Sequence, residues 1–313
     1  MVASRAMRIA IVGSGGVGGY FGGRLAAGGS DVTFIARGAH LEALRTRGLI
    51  VHSPLGDVRL PRVSATDNPG DVGPADIVFF TVKLYDTDRA AALLPPLVGP
   101  ETAVVSFQNG VDSVSTLTKT VGGEHTAGGT AFIAAVIAEP GVIRHTANDR
   151  LTFGELDGTR SARLERLLDA CRAAGIQARL SDQIEVDIWA KFVWLSVFSG
   201  VTAVTRLPVG PIRDDADLMA MCQAAGMETM AVAHAKGIAL PTKVFDDMVL
   251  GFQTLPPQVK SSMLEDLERG RPLELPWLSG AVVRIGSELD VPTPTHRFIA
   301  TVLGPHVAGA RSA

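Results

Sequence analysis

The sequence predicts an α/β domain followed by an all-helical one, and three observations carry that reading. An apolar run over residues 7–12 ends in Gly13-Ser14-Gly15-Gly16-Val17-Gly18, a G-x-G-x-x-G pattern, and a helix-like stretch follows at once. Strand-like and helix-like segments then alternate to about residue 180. From Ser181 onward no strand periodicity appears. The first observation gives the glycine pattern the strand–turn–helix context it needs. The second argues for a mostly parallel sheet with helices on both faces. Residues 1–180 are therefore expected to form a Rossmann-type dinucleotide-binding domain, and residues 181–313 a helical substrate or catalytic domain.

Taken in order, strand-like runs fall at 7–12, 32–36, 77–82 and 103–107, with antiparallel hairpins expected over 130–137, 141–145 and 151–154. Helices are expected at 18–27, 40–47, 85–94 and 111–121. A further helix over 161–174 stops at Gly175, a residue suited to the left-handed cap, and a last short strand over 176–180 completes the domain. Ser181-Asp182-Gln183-Ile184-Glu185 reads as a helix start, and a long helix runs to about Arg206 before Leu207-Pro208-Val209-Gly210-Pro211 breaks it. Helices at 214–236, 242–251, 257–269 and 275–289 follow.

In the glycine pattern, Gly13 allows the tight turn, Gly15 lets the backbone approach a pyrophosphate, and Gly18 lets the helix pack close to the strand. The unpaired N–H groups and the dipole of the helix start would hold the phosphates, with Ser14, Gly16 and Val17 completing the loop. An NAD site expects an acid about 20 residues further on, at the ribose 2′-hydroxyl. That place holds Ile35, Ala36 and Arg37, with Arg45 and Arg47 close behind. An arginine pairs with a 2′-phosphate through charge-assisted hydrogen bonds, which points to NADPH. The alternative is that Arg37 is a solvated loop charge.

Composition narrows the function classes. The 313 residues carry a net charge of −3 with both signs mixed, so no basic footprint for nucleic acid is present. The uncharged stretch over 192–205 is too short to span a bilayer and reads as a buried helix. No signal peptide is read at the start, and a cytoplasmic protein is expected. Cys171 and Cys222 lie far apart in helix-like surroundings without metal spacing, so inert buried thiols are expected. The seven histidines are scattered, also without metal spacing, and are read as structural or surface residues.

Several motifs occur together in register: Thr81-Val82-Lys83, Gln108-Asn109-Gly110, Trp189-Ala190-Lys191, Ser261-Ser262-Met263-Leu264-Glu265-Asp266, Leu273-Glu274 and Val291-Pro292-Thr293-Pro294. With the glycine pattern, this set resembles the 2-dehydropantoate 2-reductase (ketopantoate reductase) family over nearly the full chain. The resemblance implies reduction of 2-dehydropantoate to (R)-pantoate by NADPH, on the route to pantothenate and coenzyme A. It implies Lys191 as general acid, Glu274 as the carboxylate that orients the substrate near that lysine, and Ser262 as a ligand of the substrate carboxylate. Asn109 would lie near both nicotinamide and substrate, Lys83 would face the cofactor, and Gln108 is a weaker cofactor candidate. The substrate would sit in a cleft between the domains.

The residues read alone leave plainer roles open. Lys191 could snorkel at a helix edge, Glu274 could be an exposed first-turn charge, Ser261 and Ser262 could simply start a helix, and Asn109-Gly110 could be only a turn. Leu195 and Ser199 stand where some members of the family carry asparagines, and Pro276 where an aspartate is frequent. A less polar pocket would suit another small 2-oxo acid. A non-catalytic NADPH-binding sensor is the more distant alternative. The apolar helices of the second half could pack internally or form a homodimer face, and periodicity does not choose between these.

Overall fold

The computed structural model describes residues 5–310. The chain divides into two compact units. The stretch through Gln108 forms one unit with Ser113–Ile184, and the short segment Asn109–Asp112 goes with Glu185 onward in the other.

The first unit runs β1 (Arg8–Val12), α1 (Gly16–Ala27), β2 (Asp31–Ile35), α2 (Gly38–Arg47), β3 (Leu49–His52), β4 (Val58–Leu60), β5 (Ser64–Thr66), β6 (Ile77–Phe80), α3 (Thr87–Ala91), β7 (Ala103–Ser106), α4 (Ser113–Val121), β8 (Thr126–Glu139), β9 (Val142–Glu155), α5 (Ala162–Ala173) and β10 (Gln177–Leu180). All ten strands join one sheet in the order β4-β3-β9-β8-β7-β6-β1-β2-β5, with β10 also paired to β9. The stretch from β5 to β8 is parallel throughout. The expected hairpins over 130–154 are a single long antiparallel pair, β8 with β9, kinked by register shifts near Phe132, Ala134 and Ile137. The strands β3, β4 and β5 are additions to the predicted set; at three or four residues each they are too short to show periodicity.

Alternation along the central strands sends successive side chains to opposite faces. Ile9, Ile11, Ile77, Phe79, Ala103 and Val105 join the core around α1. Ala10, Val12, Val78, Phe80 and Val104 join a second core with Ala90 and Ala91 of α3 and Leu117 of α4. The sheet curls so that α1 touches β1 and β2 on one arm and β3, β4, β8 and β9 on the other. Tyr20, Phe21 and Leu25 of α1 are fully enclosed there. The helix α5 has the predicted ends: Ser161 caps its start by accepting from the Leu164 N–H, and Gly175 follows its last turn at φ +71°.

The second unit holds α6 (Ile184–Thr205), α7 (Val209–Asp214), α8 (Ala216–Ala235), α9 (Lys243–Thr254), α10 (Ser262–Glu268), α11 (Ser279–Glu288) and α12 (Pro294–Leu303). One core gathers Trp189, Phe192 and Val197 of α6, Cys222 and Val232 of α8, Phe252 of α9, Val282 of α11 and Ile299 of α12. The predicted helix over 214–236 is preceded by the separate α7, and Asp215 caps α8 by accepting from Leu218 N–H. The predicted helices over 257–269 and 275–289 shrink to α10 and to α11 with a short 3-10 turn before it. No helix is expected after residue 289, yet α12 forms there with Pro294 at its first position, where a missing N–H costs nothing. By length and composition α6 passes for a membrane span at 22 residues and mean hydropathy 1.4, but 67% of that window is buried. It is the central helix of the core.

A polar chain crosses this core. Ser196 of α6 lies 3.1 Å from the Thr229 hydroxyl of α8, which lies 2.9 Å from Nε2 of His296 on α12. The same Nε2 donates to the Ala225 carbonyl at 3.0 Å, so the ring proton sits there. His296 Nδ1 is buried with no hydrogen-bond partner among the described residues. Burial pushes the His296 pKa down from 6.5 to about 4, against the pull of Glu228. Because the folded value lies below the unfolded one, the neutral ring contributes stability that is full above pH 6.5 and is lost as pH falls toward 4. Up to roughly 3 kcal/mol is at stake. Thermal unfolding of the native chain should therefore weaken between pH 7 and pH 5, and His296→Gln should flatten that part of the slope; an equally steep slope in the variant would contradict this.

Candidate active site

The glycine loop is built by the junction of β1, α1 and β2. Gly13 takes φ +98° and α1 starts three residues later. The Ser14 hydroxyl donates to the Ile35 carbonyl at 3.1 Å and Gly13 N–H to the same oxygen at 3.3 Å, fixing the loop against the end of β2. Thr81, just past β6, donates its hydroxyl to the Gly13 carbonyl at 2.8 Å. A Cβ on Gly18 would overlap the Gly13 carbonyl and the Thr81 hydroxyl, which is the close helix–strand approach the motif requires. A Cβ on Gly16 would overlap the Ala135 carbonyl, so β8 presses on the first turn of the helix. At Gly15, by contrast, a Cβ would meet nothing. No acid stands in the first turn of α1. A helix start with backbone donors, open space at Gly15 and no opposing carboxylate in its first turn fits a pyrophosphate. These residues could hold a dinucleotide.

Around this loop the other candidates take different positions. Arg37 stands between β2 and the start of α2 and donates to Asp86 at 2.7 Å. Lys83 lies exposed in the loop after β6. Gln108 is buried, and its amide donates to the Val82 carbonyl and the Thr87 hydroxyl, both at 2.9 Å, so it braces the loop after β6. Asp86 escaped the sequence reading. It lies 49 residues from its arginine partner, and only the side-by-side order of β6, β1 and β2 connects the two loops.

The second cluster lies in the helical unit. Lys191 sits on α6 and is 9% exposed, Glu274 is 7% exposed just before the 3-10 turn Leu275–Trp277, and Asn109 belongs to the segment grouped with this unit. The Lys191 ammonium donates to Asn109 Oδ1 at 3.0 Å, and the Asn109 amide reaches Glu274 Oε2 at 3.5 Å. Three residues brought from positions 109, 191 and 274 thus form one charge-and-amide chain. Neither the snorkelling lysine nor the exposed glutamate describes these positions. Desolvation pulls the Lys191 pKa from 10.5 to about 8, while the Glu274 charge works in the opposite direction. An ammonium with a value near neutral pH can release a proton readily, as a general acid must.

Supporting groups surround the cluster. Arg284 of α11 grips both carboxylate oxygens of Asp112 at 2.7 and 2.8 Å, which anchors the segment that carries Asn109. Ser261, not Ser262, caps α10: it accepts from Leu264 N–H at 3.1 Å and pairs with Thr202 of α6 at 2.6 Å. Ser262 is the first residue of α10, with its side chain exposed. Ser199, two turns beyond Lys191 on α6, is fully buried with its hydroxyl unpartnered among the described residues. Both cysteines are buried, and burial pushes each thiol up to about 12, the value of an inert group. Among the described residues no group of His, Cys, Asp and Glu is arranged to hold a metal.

Comparison with known proteins gives this geometry its family. The model of ketopantoate reductase PanE/ApbA matches residues 9–158, and that of its C-terminal part matches residues 183–306. A 2-dehydropantoate 2-reductase of Mesorhizobium japonicum is 33% identical, with 92% of this chain and 94% of that protein covered. The crystal structure of a PanE/ApbA family ketopantoate reductase from Ralstonia eutropha superposes with a TM-score of 0.88 at 32% identity, covering 96% of this chain and 98% of that one. A D-mandelate dehydrogenase solved with NADH shares the fold at a TM-score of 0.88 and 22% identity, covering 96% and 98%. With both halves matched by the family's models, the chain belongs to the ketopantoate reductase family.

Proposed function

We propose that this chain reduces 2-dehydropantoate to (R)-pantoate with NADPH, in the supply of pantothenate and coenzyme A. The carrying observation is the buried Lys191 ammonium, held by Asn109 with Glu274 beyond it and adjusted to a pKa of about 8. A nicotinamide, when bound, supplies the hydride. The chain must supply a proton to the forming alkoxide oxygen and hold the substrate's carboxylate. Lys191 Nζ gives the proton. Glu274 favours the charged form of that lysine, so the proton is present at neutral pH despite burial. Asn109 can offer its carbonyl to the ammonium while its amide holds Glu274, and on substrate binding it aligns the ketone. Ser262, exposed at the start of α10, offers a hydroxyl and a first-turn N–H to a carboxylate. Gly13, Ser14, Gly15, Gly16, Val17 and Gly18 cradle the pyrophosphate, with Arg37 at the 2′-phosphate and Lys83 and Gln108 near the cofactor.

A second reading keeps the chemistry and changes the substrate. Leu195 cannot donate to a substrate hydroxyl, and Ser199 reaches less far than an asparagine, which suits another small 2-oxo acid. Purified protein with NADPH should consume 2-dehydropantoate selectively over pyruvate and bulkier 2-oxo acids, followed by loss of NADPH absorbance. Turnover of only another 2-oxo acid would establish the second reading. Cofactor binding without turnover would make the chain a sensor.

Two outcomes test the assigned roles. Lys191→Met should lower kcat/KM by about 100-fold or more while NADPH still binds, the usual scale for a lost general acid; near-native turnover would refute the proton donor. In the reduction direction activity should fall as pH rises through about 8, where Lys191 loses its proton. Glu274→Gln removes the charge that raises the lysine, so the alkaline limb of kcat/KM should move to lower pH; an unmoved limb would show that another group titrates.

A further inference from the structure

The three strands β6, β1 and β2 lie side by side, so the loops that leave β6 and β2 flank the end of β1 where the glycine loop begins. Those flanking loops are joined by charge. Arg37, beyond β2, donates to Asp86 Oδ2 at 2.7 Å, and Arg89, beyond β6, donates to Asp86 Oδ1 at 2.5 Å. The Asp86 side chain is 19% exposed against 63% for each arginine, so the carboxylate is the most enclosed charge of the three. Each of its oxygens is taken by a different guanidinium.

This arrangement bears on the choice between the two nicotinamide cofactors, which differ by a phosphate at the adenosine 2′-position. A 2′-phosphate needs the guanidinium of Arg37, but that guanidinium already faces a carboxylate. The phosphate must displace Asp86 or share the arginine with it, and the negative charge of Asp86 repels its own. A 2′-hydroxyl meets neither penalty and can donate to the carboxylate. We propose that Asp86 is a specificity-determining residue: it competes with the cofactor's 2′-phosphate for Arg37 and so narrows the preference for NADPH over NADH. The inference rests on the reading of Arg37 as the 2′-phosphate ligand. Arg89 works in the opposite direction, because its charge offsets Asp86.

Binding constants for NADPH and NADH, measured by calorimetry without substrate, separate these roles. Asp86→Asn keeps the size of the side chain and removes its charge. It should improve NADPH binding relative to NADH by about fivefold or more, the scale of an exposed ion pair plus a relieved repulsion. Arg89→Met should shift the ratio toward NADH. An Asp86→Asn ratio within twofold of the native protein, in a variant with native thermal unfolding, would overturn the proposal. Asp86→Ser provides the same test should the asparagine variant fail to fold. Arg37→Met tests the underlying reading on its own: it should erase the native preference for NADPH, and an unchanged ratio in that variant would remove Arg37 from the 2′-site whatever Asp86 does.

Discussion

Burying an ammonium is the constraint around which the helical unit is arranged. Taking a lysine charge out of water costs several kcal/mol unless compensating groups meet it, and Lys191 is 9% exposed inside the apolar sequence Trp189-Ala190-Lys191-Phe192-Val193. Compensation comes from two places distant in the chain, the Asn109 carbonyl and the Glu274 carboxylate. Each is anchored in turn. The Arg284–Asp112 pair, in which one guanidinium nitrogen reaches both carboxylate oxygens, fixes the segment of Asn109, and the Leu273 N–H donates to the Val307 carbonyl at 2.9 Å beside Glu274. Desolvation outweighs the pull of Glu274, which leaves the lysine at about 8 and able to give up its proton.

The glycine loop obeys a different constraint, the approach of backbones. Two glycines of the same loop answer to different neighbours. Gly18 lets α1 meet β1, while Gly16 yields to the Ala135 carbonyl of the long β8–β9 pair. The sheet curls around α1, and its far arm shapes the loop. This explains why glycines 15 and 16 stand together: one leaves space open, the other surrenders space to the protein itself.

The fold class was legible because two patterns meet near residue 180: short continuous apolar runs such as β6 and β7, buried on both faces as central parallel strands must be, alternate with helices up to that point, and only helical segments follow. Short strands such as β5 with three residues carry no such signal, and their existence follows from pairing with β2 alone. The helix α12 lies outside the expected set; two prolines, Pro292 and Pro294, stand at its start, and Pro294 occupies the one helical position that suits it. At the site, Lys191, Asn109 and Glu274 were legible through their motifs, and their mutual contact was not, since nothing in the spacing of 109, 191 and 274 announces adjacency. Asp86 was invisible for the same reason. The chain places no acid just after β2, where Ala36 and Arg37 stand, but the fold supplies one from the neighbouring loop.

How α6 holds Lys191 in one orientation follows from its polar residues. A helix with an apolar stripe is fixed in rotation by that stripe, but residues 196–203 of α6 are all buried, so hydrophobic contact alone would tolerate several rotations. Directional bonds remove that freedom. Ser196 meets Thr229 on one side, and Thr202 meets the Ser261 cap of α10 on another. Both bonds lie on the same helix as Lys191, and at the ends of them stand His296 of α12 and the start of α10. A rotation that broke them would leave each α6 hydroxyl its bond to its own helix but lose the two interhelical bonds, at about 0.5–1.5 kcal/mol each. The serines and threonines of this otherwise apolar helix therefore set the direction in which its one ammonium points.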